Sequence, residues 1–389
     1  MKIVFLCAHT PTYVWHRWEL LETIASMGHE VIAIGPGEIE DWKKKFDVIG
    51  VRYKQVAISR TGMNPIADYQ SYRTLITLLR ETQPDKVFTY MSKTVVLSSF
   101  AAAKVGIEEV YALIGGLGSI IRGTGIKNIL LKRGLKALYR KALKHCKVVI
   151  FHNDDDLEVL VNEGVVARLK TKVVNGSGVN LEKFTPQSFP EQLTFLFAGR
   201  LIKDKGIREY LKACKMVKEE HPEVRCLVAG RYDTNPSGID DRRVKKFIDE
   251  GIIEYYEEQA DIRPLITLCS IVVLPSYHEG RPKILLEALA MGRPIIATDV
   301  PGCREPVEDG KNGYLVKVFD SEDLASKMKL FVKNPGMLNQ MGQRSNKIAR
   351  SQYDVKLINN EILKTMDILI PHASRPTPHT NLESIIHNS

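Results

Sequence analysis

Glu279 and Glu287 stand eight residues apart in HEGRPKILLEALAMGRP, residues 278–294. Between them lie Gly280, Arg281, Pro282 and Lys283, followed by apolar residues. Pro282 suits the first position of a helix, where its missing N–H costs nothing. Arg281 is then near the N-cap, Glu279 lies in the loop before it, and Glu287 sits about five residues inside, roughly 7–8 Å along the axis. A helix N-terminus after a glycine attracts phosphate through its free N–H groups and the positive end of its dipole. Carboxylates accept hydrogen bonds from hydroxyls. Hydroxyls, a phosphate and more hydroxyls in line describe a nucleotide diphosphate sugar. The plainer reading of the same residues is an amphipathic helix with two solvated glutamates.

A second stretch, AGRLIKDKG (198–206), follows an apolar strand and carries Arg200 and Lys205. In open α/β sheets, ligands bind at the carboxyl ends of strands. Two cations held there can neutralise a diphosphate leaving group as its charge grows. By itself the stretch also fits an ordinary solvated loop.

The elements that must position these residues follow from hydropathy. Strands are expected at Lys2–Ala8, Val31–Ile34, Lys86–Thr89, Glu109–Ile114 and Val148–His152. Helical patterns occupy Trp15–Met27 and about 68–82, 95–105 and 127–145. The alternation restarts with strands Leu193–Ala198, Arg225–Ala229, Ile271–Leu274 and Pro294–Thr298. Helices Gly206–Glu219, Arg242–Asp249, one from Pro282, and Glu322–Val332 go with them. Alternating β and α with short apolar strands implies parallel, doubly wound sheets. Asn180–Gln192, with Pro186 and Pro190, reads as a linker. The expected layout is a Rossmann-like domain over 1–185 and a second over 186–350. A helix over 351–369 and a disordered tail over 370–389 complete it. Neither first strand is followed by G-x-G-x-x-G, so no dinucleotide cofactor is expected.

The 389 residues carry a net charge of +9, unevenly spread. Residues 1–185 hold 26 Lys and Arg against 18 Asp and Glu, and the remainder holds 29 against 28. A basic half suggests an anionic partner. Its densest stretch, Arg122–Lys147, carries Arg122, Lys132, Arg133, Lys136 and Arg140 among other cations and no acid. Interleaved leucines make it a basic amphipathic helix, which fits an anionic membrane surface or a lipid diphosphate, with the rest of the helix covering its sheet. No nucleic-acid motif accompanies the charge, and nucleic acid is not an expected partner. The six cysteines are scattered without a C-x-x-C pair, which fits a reducing cytosol. The run Asp154–Asp156 reads as a helix start, where acids favour the dipole, and no metal is assigned to it.

Taken together, the motifs resemble glycosyltransferase family 4 from Met1 to about Leu369. The matching residues are Gly199, Arg200, Lys205, Gly206, Pro275, Ser276, Glu279, Gly280 and Glu287, supported by NGSGVNLEKF (175–184) and ATDVPGCREPVEDGKNGYLV (297–316). IGGLGS (114–119) and GRYDTNPS (230–237) look like the bacterial branch that extends sugars on undecaprenyl diphosphate for O-antigen, capsule or N-glycan assembly. The resemblance implies a GT-B fold, two Rossmann-like domains facing across a cleft, and transfer with retained anomeric configuration and no metal or cofactor. It implies a UDP-sugar donor and a lipid-diphosphate-linked saccharide acceptor, met on the cytoplasmic face of the membrane by a peripheral enzyme. Arg200 and Lys205 would clamp the diphosphate, and Glu279 would contact the transferred sugar. Gly199, Gly280, Arg281, Pro282, Lys283 and Glu287 would bind the donor, with backbone N–H groups near Arg281–Lys283 on the diphosphate and Glu287 on the ribose. The helix near Ser351–Leu369 would cross back onto the first domain.

Two departures stand out. Many family members carry a His or Asp after the strand that here ends at Ile114, whereas this chain has Gly115-Gly116-Leu117-Gly118. The loop between Ala8 and His16 has no glycine. His16 is a candidate for positioning acceptor or sugar, and equally reads as a surface histidine at a helix start. Two other functions fit less of the sequence: a sugar-nucleotide 2-epimerase, which needs ionisable groups that the 114–119 loop lacks, and a non-catalytic lipid-binding scaffold.

Overall fold

The computed structural model describes residues 1–59, 64–117, 126–233 and 237–368, with backbone alone over 126–132. The chain forms two compact units. The first is built from Met1–Val174 and the chain from Ile358 onward, the second from Asn175–Leu357.

The first unit is a seven-stranded parallel sheet in the order β3-β2-β1-β4-β5-β6-β7. The strands are β1 (Lys2–Leu6), β2 (Glu30–Gly35), β3 (Val51–Gln55), β4 (Lys86–Tyr90), β5 (Val110–Ile114), β6 (Val148–Phe151) and β7 (Thr171–Val173). Side chains alternate between faces along a strand. Val4, Leu6, Ile32 and Ile34 therefore pack on one face with helices Pro65–Thr82 and Ser92–Val105. Ile3, Phe5, Val31 and Ala33 pack on the other with Trp18–Ser26 and Ile39–Asp47. Burial on both faces is why the central strands read as unbroken apolar runs. Helix Val355–Thr365 ends the described chain, and its Ile358, Ile362 and Leu363 join the Ile3–Phe5 face.

The second unit is a six-stranded parallel sheet, β10-β9-β8-β11-β12-β13. Its strands are β8 (Thr194–Ala198), β9 (Arg225–Ala229), β10 (Glu254–Tyr256), β11 (Ile271–Leu274), β12 (Ile295–Thr298) and β13 (Gly313–Val316). Helices Ile207–Glu220 and Ser321–Lys333 present Tyr210, Leu211, Cys214 and Leu324, Met328, Phe331 to its core. Both sheets are doubly wound, and strand order reverses between β1 and β4 and between β8 and β11.

Several boundaries differ from the sequence expectation. Packing divides the chain between Val174 and Asn175 rather than at 185/186, because Val174 joins the first core and Val179 the second. The expected helix Trp15–Met27 is two helices, Pro11–His16 and Trp18–Ser26, broken at Arg17, whose φ of −136° is not helical. The expected helix 351–369 starts as a wide turn, Ala349–Tyr353, and only Val355–Thr365 is α-helical. Residues 369–389, and with them the expected tail, lie outside the described residues.

At the amino edge of the first sheet, Glu109 gathers Lys86 (2.9 Å), Lys147 (2.8 Å) and the Tyr111 hydroxyl, and Lys147 continues to Asp367 at 2.8 Å. Partial burial pushes the Glu109 carboxyl up, but the hydrogen bonds from Lys147, Tyr111 and Lys86 outweigh it and hold the group down at about 2. Its stabilisation is present above the ordinary value of 4.5 and is lost as pH falls through about 2. Glu109→Gln is expected to lower the melting temperature at pH 7 by about 2–4 °C. That corresponds to ~1 kcal/mol after discounting for the solvent-exposed third of the side chain. Thermal melts from pH 7 to pH 2 should show the gap to wild type closing; a constant gap would remove this assignment.

Candidate active site

The reversal between β8 and β11 brings the two motif loops together. β11 lies beside β8 with Val272 opposite Leu196, so the loops leaving their carboxyl ends are neighbours. They touch backbone to backbone. Gly206 has φ +72°, and a Cβ there would lie 1.9 Å from the Pro275 carbonyl oxygen. The Tyr277 N–H donates to the Asp204 carbonyl at 2.9 Å. A third loop, after β12, closes on the same place: the Glu279 N–H donates to Pro301 O at 3.2 Å, and a Cβ on Gly302 would lie 2.2 Å from Glu279 O. At β8, Gly199 donates to Ala229 O at 2.9 Å.

These contacts unite Lys205 and Glu279, which form a hydrogen-bonded ion pair with side chains 21% and 14% exposed. Arg200 lies one residue beyond Gly199 and is held by Asp233, Nη1 to Oδ2, at 3.0 Å. Both cations are thus present at the switch point, each fixed by a carboxylate. Cys303 is buried nearby; burial first, and then the charge of Glu279, push its thiol well up, so it packs there as a neutral group.

The helix after β11 runs Lys283–Ala290, one residue later than expected, with Pro282 as its N-cap at ψ 122°. Gly280 precedes it in the loop. Glu287 points into the protein, 8% exposed, with Lys283 3.7 Å away. Burial raises its carboxyl above the usual range, Lys283 only partly offsets this, and Asp261 adds to it. Arg281, expected to contribute its backbone N–H, turns its side chain inward. Its side chain is 2% exposed, 2.9 Å from Glu305 and with its guanidinium 5.8 Å from the Tyr353 ring centroid. Its Cγ lies 2.6 Å from where a Cβ on Gly176 would stand. The guanidinium is a buried structural group, which leaves the backbone of 281–283 as the part of the loop suited to phosphate.

Asp233, Glu305 and Asp261 were not singled out by sequence. Each is one acid among many, and only the fold pairs it with a cation or with Glu287.

In the first unit, His16 ends the short helix after β1 and is half-buried. Lys136 pairs with Glu163 at 2.5 Å, and Arg140 donates to Gly164 O at 2.7 Å and Glu163 O at 3.0 Å. Both cations therefore serve the turn at 163–164. Arg133 is exposed. Arg122 lies outside the described residues, as does the side chain of Lys132. Asp154–Asp156 occupy the first turn of helix Asp154–Asn162, and the Asp156 N–H donates to the Asn153 side chain at 2.7 Å.

Residues 180–348 match the family of glycosyl transferases group 1. The match covers less than half of the chain and lies within the second unit, and the two parallel sheets are of the GT-B glycosyltransferase type. The chain is 28% identical, over 95% of its length and 99% of the relative's, to the N,N'-diacetylbacillosaminyl-diphospho-undecaprenol alpha-1,3-N-acetylgalactosaminyltransferase of Campylobacter jejuni. It is 26% identical to the UDP-Gal:alpha-D-GlcNAc-diphosphoundecaprenol alpha-1,3-galactosyltransferase of Escherichia coli, over 76% of this chain and 78% of that one. Sucrose-phosphate synthase from Thermosynechococcus elongatus shares the fold, with a TM-score of 0.76 at 17% identity, over 94% of this chain and 98% of that one.

The raised Glu287 carboxyl has an opposite consequence for stability and for binding. Below 4.5 folded and unfolded chains both hold its proton and nothing is lost. Above 4.5 the unfolded chain ionises freely while the folded chain must ionise a buried group, so stability falls until the raised folded value is passed. Glu287→Gln should therefore melt no lower than wild type at pH 7. On the expectation that Glu287 holds the donor's ribose, its affinity for a UDP-sugar should fall about 10- to 100-fold, the loss of one or two hydrogen bonds to a charged acceptor. Calorimetric titration beside thermal melts checks both; a lower melting temperature with unchanged affinity would make Glu287 structural.

Proposed function

We propose that this glycosyltransferase moves a hexose or N-acetylhexosamine from a UDP-sugar to a lipid-diphosphate-linked saccharide in bacterial surface polysaccharide assembly. The observation that carries the reading is the Lys205–Glu279 pair, with Arg200 beside it, at the β8/β11 switch point. The names of the two relatives support the acceptor class, and that of the Escherichia coli relative supports a UDP donor.

On this reading the diphosphate displaces the carboxylates as partner of Arg200 and Lys205. Two fixed cations then meet the charge that grows on the leaving group. Glu279, released from Lys205, accepts hydrogen bonds from the transferred sugar, and Glu287 accepts them from the ribose. The acceptor oxygen bonds to the anomeric carbon on the face that the diphosphate leaves. The carbon–oxygen bond to phosphate breaks, and the acceptor proton passes to a phosphate oxygen, so configuration is retained without a metal.

No helix among the described residues is long and apolar enough to cross a membrane. The exposed Arg133, Lys141 and Lys144, with Leu138 40% exposed among them, support peripheral binding to an anionic bilayer on its cytoplasmic face.

The test is nucleotide release from a panel of UDP-, GDP- and dTDP-sugars with undecaprenyl-diphosphate-linked acceptors, with and without EDTA. Acceptor-dependent UDP release that survives EDTA is expected. Lys205→Ala should lower kcat at least about 100-fold, the scale of removing one fixed electrostatic stabiliser. Near-wild-type turnover in Lys205→Ala would sink the clamp, and release that stops with EDTA would sink the metal-free mechanism.

A further inference from the structure

Chain segments far apart in sequence converge on one buried side chain of the second unit. The chain enters this unit at Asn175 and leaves it after Leu357. The stretches next to these two points lie side by side, with a parallel bridge between Val179 and Asp354. The Val179 N–H donates to Tyr353 O at 2.8 Å, and the Val355 N–H donates to Val179 O at 3.0 Å. Arg281 reaches both stretches from the loop after β11. Its guanidinium stands 5.8 Å from the centroid of the buried Tyr353 ring. Its stem runs across Gly176, where a Cβ would lie 2.8 Å from the Arg281 Cβ and 2.6 Å from its Cγ. Gly176 also has φ +79°, so backbone and space both exclude a side chain there.

On its other side Arg281 meets Glu305, in the loop after β12. The Glu305 Oε2 is 2.9 Å from Arg281 Nη1, and its Oε1 accepts the Gly302 N–H at 3.2 Å. Gly302 in turn lies against the Glu279 carbonyl. Filling this space does not call for an arginine, because apolar side chains of similar size avoid the desolvation that a buried ion pair costs. What a guanidinium adds is direction: a planar group with fixed donors holds its partners in one geometry. The Arg281 backbone leads straight into Pro282 and Lys283, where the helix Lys283–Ala290 begins. Proline has no N–H, so an anchored Arg281 side chain fixes the N–H groups of Arg281 and Lys283.

We propose that Arg281 is a positioning residue for the donor, whose side chain holds these two N–H groups toward the diphosphate and ties them to the stretches at 175–179 and 353–355. The inference rests on the reading of the 281–283 backbone as the seat of the diphosphate. The guanidinium itself touches no substrate. Coupling of this kind is reciprocal, so a diphosphate that steadies the loop also steadies the two stretches.

The test uses the full-length protein with UDP as the probe. Amide hydrogen exchange reads local opening at Val179 and Val355, calorimetric titration reads UDP affinity, and thermal melts read stability. In wild type, saturating UDP should slow exchange across 175–179 and 353–355 about tenfold. The double variant Arg281→Met with Glu305→Gln removes the ion pair without stranding a charge, and should melt within about 3 °C of wild type. It should bind UDP about tenfold more weakly, the size of one misdirected hydrogen bond to a charged group, and lose the slowing even at saturation. The donor KM should rise by the same factor, with the acceptor KM within about twofold. Unchanged UDP affinity in the double variant, slowing that persists in it, or no slowing in wild type overturns the proposal. An affinity loss accompanied by a melting temperature lower by more than about 5 °C makes the pair structural alone and overturns it as well. If the double variant fails to fold, Arg281→Lys keeps the charge without the planar fork and should bind UDP about threefold more weakly with weaker slowing; wild-type behaviour there overturns the proposal. Wild type that binds no UDP overturns the reading of the donor site and this inference with it, whereas wild type that binds UDP with indifferent exchange overturns the inference alone.

Discussion

The Pro275 carbonyl oxygen occupies the space where any side chain at residue 206 would begin. The site in the second unit depends on that close approach. Only glycine combines φ +72° with a missing Cβ, so only glycine lets the loop after β8 lie on the loop after β11. Lys205 immediately precedes the contact on one loop, and Glu279 follows a few residues after it on the other. The backbone contact brings both side chains to one point without either needing to find the other. Gly302 repeats the device against Glu279, so a third loop fixes the same carboxylate from behind.

The charges at this point are arranged as pairs. Lys205 with Glu279 and Arg200 with Asp233 are partly buried, where an unpaired charge is expensive. Pairing holds the cations in place before any ligand arrives, and it limits the field that a bare cluster would create. Glu287 departs from this economy: its one near cation, Lys283, is 3.7 Å away, and burial keeps its carboxyl above the usual range.

How much of this was legible in the sequence depends on burial. The central strands of both sheets, β1, β4 and β5 and then β8, β9, β11 and β12, read as apolar runs because both faces are covered. The strands that hydropathy did not reveal are β3 (VRYKQ), β7 (TKV), β10 (EYY) and β13 (GYLV), and these are the four edges of the two sheets. Edge strands are short, mixed and partly solvated, so no periodicity marks them. Among site residues, Lys205 and Glu279 were legible because glycines and strand ends fix their places. The place of the Arg281 side chain was not legible. Its burial against Gly176 and Tyr353 comes from chain segments remote in sequence, which local spacing cannot report.

The two units apply one topology to different chemistry. Each reverses strand order once and presents loops at the carboxyl ends beside the reversal. In the second unit those loops carry cations paired with carboxylates. In the first, Arg17 is buried beside β4 near the Phe88 and Tyr90 rings, with its Nη2 3.4 Å from the His152 Nε2. A guanidinium so enclosed cannot serve as a phosphate ligand, because it is not reachable.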